Sequence, residues 1–346
     1  MIKFADIFAD MSKNENAKVA LFTHPGPDPD AMGAVLGMQH ILVKKWGIKA
    51  DIFMEGGYSS RRQNAAMVNI LAIDLKSMDT YLKNRESYST AIVLDATPER
   101  VNEEARGDIK IVIDHHSVQV DEDNFDYVDI RKVGSCSTMV FELMQHLECP
   151  PDNGEDDRIV ATAILEGIRT DTDMYRRPDT TLMDFNASAA LFEWVDMDLI
   201  NQIERCKLPR YHFDLRAEMV TNCDIVNGST YIGCVGCISR AKVDSLPILA
   251  DEVINDMEGI STSIIFAIVD GMVELRMRSN EVALDVNRFL KKHFGEYGGA
   301  KYGSGGAHIP LGIYTNPILT QELKDEAYDL TKRVVIAMLS SDVKSE

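Results

Sequence analysis

The sequence is short of basic residues, of cysteine and of long apolar runs, and each shortage excludes something. Only 36 Lys and Arg stand against 55 Asp and Glu, a formal charge of −19. A protein that follows a long phosphate backbone needs a basic stripe, so this balance argues against non-specific or processive binding of long nucleic acid, duplexes included. Most of the acid is expected to be solvated surface. No stretch approaches the roughly 18 consecutive apolar residues of a membrane span. The start, MIKFADIFADMSKNENAKVA, lacks a basic end followed by an apolar run. A cytoplasmic protein with no membrane partner is expected. The six cysteines (Cys136, Cys149, Cys206, Cys223, Cys234 and Cys237) are too scattered for a disulfide framework in 346 residues and suit reduced, mostly buried thiols. Cys234-Val-Gly-Cys237 alone has motif spacing. In the apolar run YIGCVGCIS a strand would send those two side chains to opposite faces, and no second pair completes a tetrahedral site.

What is present is a chain long enough for two domains, 45% hydrophobic and 26% charged. Apolar, β-branched runs recur in the first half: KVALFT, KADIFM, TAIVLD ending at Asp95, and KIVID ending at Asp114. Helical patterns lie between and after them, at 31–46, 61–71, 137–147 and 158–168. Strands alternating with helices predict an α/β fold, a doubly wound parallel sheet whose ligands bind beyond the carboxyl ends of the strands. After Tyr211 the pattern changes to longer strands, YIGCVGCIS, STSIIFAIVD and MVELRMRS, with Asp270-Gly271 as a hairpin signal. A glycine cluster at 295–312 and a final helix at 320–339 follow. The expected division is a domain over 1–190, a helical linker over 191–214 and a smaller α+β substrate domain over 215–346.

Acids and histidines collect at the predicted strand ends. His24-Pro-Gly-Pro-Asp28-Pro-Asp30 follows one strand and precedes a helix; its prolines stiffen the loop, so an imidazole and two carboxylates can converge at small ordering cost. The competing reading is a turn with Asp30 as a helix cap. Asp95 ends AIVLD, Asp114-His115-His116 ends KIVID, and Asp171 lies in EGIRTDTDMYRR just after a helix. A carboxylate at the end of a buried strand is costly unless a cation compensates it. Four such clusters at one sheet edge are hard to explain as separate caps. Mixed carboxylate and imidazole ligands favour Mn²⁺ or a similar ion, with Mg²⁺ less suited to nitrogen.

In this order and at these separations, HPGPDPDAMG, VLDATP, IDHHS and GIRTDTD resemble the four motifs of the DHH phosphoesterase family, which includes RecJ-type exonucleases, manganese-class pyrophosphatases, exopolyphosphatase-related proteins and nano-RNase/pAp-phosphatases. The resemblance implies two divalent ions. His24, Asp28 and Asp95 would hold one, and Asp30, Asp95, His115 and Asp171 the other, with Asp95 as the bridge. It also implies that His116 faces the substrate phosphate, with Asp114 orienting its neighbours. Asp173 and Arg169 have no family role and are expected in salt bridges or caps. SRRQNAAMVNIL and VDIRKVGSCST resemble segments flanking the family's cleft, where Arg131 and Ser135 could contact phosphate; the alternative for Arg131 is a pair with Asp129 or Asp126. The C-terminal half resembles the DHH-associated domain, with Arg276 and Arg278 suited to phosphate. In GGAKYGSGGAHIPLG two registers stay open, one placing Lys301 and the other His308 at the family's histidine, with Gly305 and Gly306 permitting close backbone approach.

The implied function is a metal-dependent phosphohydrolase that cleaves short oligoribonucleotides, dinucleotides such as pApA or pGpG, or pAp, by two-metal activation of water. An exopolyphosphatase or pyrophosphatase is the alternative. A nucleotide-binding regulator without turnover is a third reading, and a homodimer is compatible with all three.

Overall fold

Strand β1 (Lys18–Phe22) is buried along almost its whole length and alternates between two cores. Val19 and Leu21 point to one face of the sheet, Ala20 and Phe22 to the other. Such two-faced burial is what a central parallel strand requires. In this computed structural model, which describes residues 2–55, 62–116, 118–205, 207–281, 283–301, 303–312 and 320–343, two compact units meet at residues 206 and 207.

In the first unit, α1 (Ile2–Met11), β1, α2 (Pro29–Trp46), β2 (Lys49–Met54), α3 (Arg62–Ile70), β3 (Leu75–Ser77), α4 (Met78–Lys83), β4 (Thr90–Leu94), β5 (Ile109–Asp114) and β6 (Tyr127–Ile130) lead into four helices. These are α5 (Cys136–His146), α6 (Glu155–Asp171), α7 (Leu182–Leu191) and α8 (Met197–Glu204). The sheet is parallel throughout, in the order β3-β2-β1-β4-β5-β6. The chain winds outward from β1 in one direction, then returns to β4 on its other side. The carboxyl ends of β1 and β4 therefore flank a topological switch point, where a crevice opens. Short edge strands β3 and β6 complete a sheet of which the sequence pattern showed only the four central members. The stretch expected as a helical linker is divided: α8 belongs to the first unit, with Ile200 and Ile203 in its main core.

The three helices that carry the site cross at close range because small residues line the crossing. A Cβ on Gly33 of α2 would lie 2.6 Å from the carbonyl oxygen of Ala163 on α6 and from Ser137 Oγ on α5. One on Gly167 of α6 would meet the same hydroxyl and the backbone at Pro29 and Asp30. Gly33→Ala should push α2 off α6 and destabilise the unit by about 1–3 kcal/mol, the usual cost of overpacking. Thermal unfolding of the metal-free protein tests this; an unchanged melting temperature would show that the crossing can relax.

The second unit contains α9 (Arg210–Thr221), β7 (Cys223–Val226), β8 (Thr230–Cys237), α10 (Ser245–Asp256), β9 (Thr262–Val269), β10 (Met272–Ser279), α11 (Val286–Phe294), β11 (Gly298–Lys301), β12 (Ser304–Pro310) and α12 (Gln321–Val343). Its sheet runs β11-β12-β10-β9-β8-β7, parallel only between β8 and β9. Asn227-Gly228 and Asp270-Gly271 both take positive φ, at 51° and 75° and at 49° and 76°. Asp270-Gly271 is a two-residue hairpin between paired Val269 and Met272, which needs that twist, whereas three residues join paired Val226 and Thr230. The glycine cluster is an antiparallel pair of strands, with Gly299 opposite Gly306. Cys234 is buried beside the Tyr328 hydroxyl while Cys237 is exposed, at an irregularity in β8. No described helix is long and apolar enough to cross a membrane.

Candidate metal centre

The first unit brings six residues of the sequence motifs to the carboxyl edge of its sheet. His24 follows β1 in a loop that ends when Asp28 caps α2, its carboxylate accepting from the Ala31 N–H at 3.1 Å, with Pro29 in the first turn. Asp30 lies in the first turn of α2 and is 1% exposed. Its two oxygens accept the first N–H groups of α5, from Cys136 at 2.7 Å and Ser137 at 2.8 Å. A helix N-terminus is a favourable partner for a buried carboxylate. Asp95 leaves β4 with φ 55°, a left-handed conformation that Asp tolerates better than most residues. His115 leaves β5, and Asp171 ends α6.

Two overlapping clusters result. His24 Nε2 lies 3.8 Å from Asp28 Oδ1 and 3.6 Å from Asp95 Oδ2. His115 Nε2 lies 3.4 Å from Asp95 Oδ1, 3.7 Å from Asp30 Oδ2 and 3.2 Å from Asp171 Oδ2. Asp95 Oδ2 thus faces His24, while Oδ1 faces His115 and, at 3.6 Å, His116 Nδ1. Adjacent ligands of an octahedral ion with bonds of roughly 2.1 Å sit roughly 3 Å apart, so the clusters need only slight contraction around a cation. His24 and His115 each place Nδ1 3.0 Å from a backbone carbonyl, of Pro25 and Val133 respectively. An Nδ1–H donated there leaves the Nε2 lone pair for a cation.

Buried atoms without partners test whether a cation fits. Asp95 Oδ1 and His115 Nε2 are both buried with no hydrogen-bond partner among the described residues. Burial alone would lower the pKa of each histidine, but the nearby carboxylates of Asp28 and Asp95 lift His24 to about 10. For His115, Asp95, Asp30 and Asp171 do the same. Asp30 is pushed well above the usual carboxylate range by burial and by the charge of Asp95, and Asp171 is pushed up to about 6, first by burial. Such a cluster demands positive charge, from protons or metal ions. Metal binding must therefore expel protons.

His116 is different. Its Nδ1 sits 2.8 Å from Asp114 Oδ1, whose carboxylate also accepts the His116 N–H, and its side chain is 48% exposed. Burial would raise Asp114, but the bonds to His116 hold it below its ordinary value. Asp114 orients His116.

Two expected phosphate contacts are corrected. Ser135 is fully buried and caps α5, accepting from Thr138 N–H at 3.1 Å, so its hydroxyl serves the helix. Arg131 pairs with Asp129 at 2.7 Å and with Glu142 at 2.6 Å, where sequence offered only the nearby acids. Arg169 and Asp173 are in ion pairs, with Glu204 and Arg176. Ser60 and Arg61, from the segment thought to flank the cleft, lie outside the described residues.

Sequence reading missed Arg177 and Glu166. Three consecutive residues after Thr172, Asp173, Met174 and Tyr175, take φ values of 48°, 53° and 64°. This left-handed turn brings Arg177 back to Asp171, where it donates to the carbonyl oxygen at 2.7 Å and to Oδ1 at 3.3 Å. Only the turn makes that contact, and TDTDMYRR carries no sign of it. Glu166 on α6 is fully buried; Gln63 donates to its Oε1 at 2.7 Å, while Oε2 has no partner among the described residues. Burial first, and the charge of Glu204, push it up from 4.5 to about 7. Its contribution to stability is therefore present below pH 4.5 and lost as pH rises through 7. Glu166→Gln should raise stability at pH 8 by on the order of 2 kcal/mol and change little at pH 4. Urea unfolding at both values checks this, and an equal effect at both would refute the buried-charge account.

In the second unit, Glu274 on β10 is 1% exposed and has Arg240, His308 and Arg276 around its carboxylate. Arg240 lies 2.7 Å away, His308 Nδ1 2.6 Å and Arg276 3.3 Å. His308 is the cross-strand partner of Glu274, and Arg276 is the partner of Gly306. A Cβ on Gly306 would lie 2.7 Å from the Leu275 carbonyl oxygen and 3.3 Å from Arg276 Nη1, so glycine permits this close packing. Gly305, next in β12, would clash with Leu290 and Ala300 and is needed for packing. Arg278 is engaged by Asp251 at 2.6 Å. The side chain of Lys301 lies outside the described residues. Of the two registers open in sequence, the strand pairing puts His308 with Arg276 in one cluster.

A parallel α/β domain with carboxylates and imidazoles at its switch point defines a doubly wound protein with a candidate two-ion centre. Residues 18–168 match the DHH family, N-terminal domain. The chain is 32% identical over 307 residues to an uncharacterized protein of Methanocaldococcus jannaschii; the match covers 87% of this chain but only 60% of that protein. It is 24% identical over 247 residues to a protein of Staphylococcus epidermidis named a probable manganese-dependent inorganic pyrophosphatase, covering 66% of this chain and 73% of the other. A crystal structure of an exopolyphosphatase-related protein from Bacteroides fragilis shares the fold, with TM-score 0.67, 16% identity and coverage of 96% of this chain and 97% of that one.

Proposed function

We propose that the protein is a metal-dependent phosphohydrolase that acts on short linear oligoribonucleotides, dinucleotides or pAp. The observation that carries this reading is the shared Asp95, whose two oxygens face two separate histidine–carboxylate clusters. His24, Asp28 and Asp95 would hold one divalent ion, and Asp30, Asp95, His115 and Asp171 the other. Two bound ions supply water activation and charge neutralisation at phosphorus. The manganese-dependent name of the S. epidermidis relative and the nitrogen ligands both favour Mn²⁺ over Mg²⁺.

The remaining work falls to the chain. With Nδ1 fixed on Asp114, His116 presents Nε2 as the ring nitrogen that can hydrogen-bond a phosphate oxygen or move a proton to it. Arg177 holds Asp171 by its carbonyl and carboxylate and keeps that ligand in place.

Short substrates are favoured by charge. At −19 overall, few cations are available outside the site to hold a long polyanion. On a ladder of single-stranded RNAs from two to about twenty-five nucleotides in Mn²⁺, kcat/KM should be highest at about two to five and fall beyond, since few phosphates can be neutralised. Equal or rising efficiency toward the longest RNAs would defeat the short-substrate reading. A second reading, exopolyphosphatase or pyrophosphatase, is favoured by the names of the S. epidermidis and B. fragilis relatives. Turnover of polyphosphate or pyrophosphate but no dinucleotide would select it, and nucleotide binding without any turnover would leave a regulator.

A further inference from the structure

Cys234-Val-Gly-Cys237 is a motif that the metal centre does not absorb. A regular strand would send its two thiols to opposite faces of the sheet. The structure does otherwise. Cys234 is the register partner of Phe266 and Cys237 that of Ile268, so three steps along β8 match two along β9. The extra residue is a bulge in the parallel pair, and Gly236 takes φ 81° within it. The cores on the two sides of the sheet show the consequence. Val235 and Ile238 both belong to the core against α10, whereas Cys234 and Phe266 lie in the core that α11 and α12 cover, with Ile268 packed against it. Alternation back from Ile238 puts Cys237 on the face of Cys234. Cys223, the neighbouring cysteine of β7, packs against the opposite core.

The bulge also shortens the span. Phe266 and Ile268 are two strand residues apart, roughly 6.6 Å, and their partners on β8 share that spacing. Two cysteines can be bridged up to a Cα separation of roughly 7 Å. An unbulged strand would hold this pair about 10 Å apart. Tyr328 of α12 stands beside the pair. Its hydroxyl is 3.3 Å from Cys234 Sγ and would be 3.7 Å from a Cβ on Gly236. Burial first, then Cys234, Glu218 and Cys237, push that hydroxyl up from its ordinary pKa. The two sulfurs are unequal. Cys237 is exposed and can meet a reagent. Cys234 is fully buried, and burial pushes its thiol up against the opposing effects of Tyr328, the Gly236 N–H and Lys332. An accessible attacking sulfur with a second held behind it is the arrangement that thiol–disulfide exchange requires.

We propose that Cys234 and Cys237 form a reversible dithiol–disulfide site that reacts with small disulfides such as oxidised glutathione. The Cys237 thiolate attacks one sulfur of the reagent, whose S–S bond breaks, and the first glutathione leaves as a thiolate and takes up the proton that Cys237 released. Cys234 then gives up its proton and attacks Cys237 Sγ, releasing the second glutathione in the same way. The chain loses two hydrogens, and one glutathione disulfide becomes two glutathione thiols. The proposal does not depend on the phosphohydrolase reading. The test uses the full-length protein carrying Cys223→Ser, so that the tryptic peptide 217–240 holds these two cysteines alone. Reduced protein is freed of reductant, incubated with glutathione disulfide, quenched by alkylation and mapped by peptide mass. The peptide should lose two hydrogens, retain no glutathione and be restored by dithiothreitol. Adding Cys234→Ser should leave one glutathione on Cys237, and adding Cys237→Ser should slow reaction at least about tenfold, because the buried sulfur meets solvent poorly. Glutathione retained on Cys237 when Cys234 is present overturns the proposal. So does a disulfide from either residue to another cysteine, and so does a native chain that stays reduced under conditions that oxidise the urea-unfolded chain.

Discussion

Asp95→Asn is expected to strip metal from the centre and to cut hydrolysis by on the order of 10³-fold or more, because one carboxylate serves both ions. An amide offers one oxygen where two are used, and its NH₂ would face a histidine nitrogen. Folding should survive. Asn is among the few residues that accept the left-handed backbone found here at φ 55°. The substitution also removes a negative charge that raises Asp30 and Asp171. The metal-free variant should therefore melt at or above the parent's temperature. Bound manganese by elemental analysis, turnover and metal-free melting together decide the matter. Near-parental metal content and turnover would exclude Asp95 as the shared carboxylate.

The neighbouring histidines should separate cleanly. His115→Ala should lose the ion held with Asp30 and Asp171, since its Nε2 is the nitrogen within 3.2–3.7 Å of three carboxylates and its side chain is 7% exposed. His116→Ala should retain metal and lose rate by about 10²–10⁴-fold, the range for a group that acts in proton transfer. Its ring is 48% exposed, and its Nδ1 is committed to Asp114. The change leaves Asp114 buried with one bond fewer, so a modest loss of stability should accompany it. Equal metal loss in both variants would mean that His116 is a ligand. Its Nδ1 lies 3.6 Å from Asp95 Oδ1, near enough for that outcome to be a real test.

These expectations stand on different links of the chain from sequence to site. The order of strands and helices was legible because a buried parallel strand must be apolar on both faces: KVALF, KADIFM, TAIVL and KIVID could be little else. The stiff His24–Asp30 loop and the acids at strand ends were legible for a related reason, since charge at the end of an apolar strand has no structural use without a cation. The edge strands β3 and β6 were not, because strands of three and four residues with part-exposed side chains carry no period. The glycine segment misled in the same way: without side chains there is no alternation to read, and the cross-strand partners of Gly305 and Gly306 were needed to show two strands.

By itself, then, the sequence determined the doubly wound domain, the six acid and histidine side chains at its carboxyl edge and the net acidic charge. Each of these follows from local composition or from a period of two or 3.6 residues. The tertiary structure decided what depends on atoms distant in the chain. It turned Asp30 toward the N-terminus of α5, 106 residues away. It spent Ser135 on a cap and Arg131 on Glu142, and through three left-handed residues it brought Arg177 back to Asp171. A hydroxyl or guanidinium looks the same in sequence whether it meets a phosphate, a carboxylate or a helix end. Only the fold supplies the partner, because desolvation leaves each buried polar group to bond with whatever the packing places beside it.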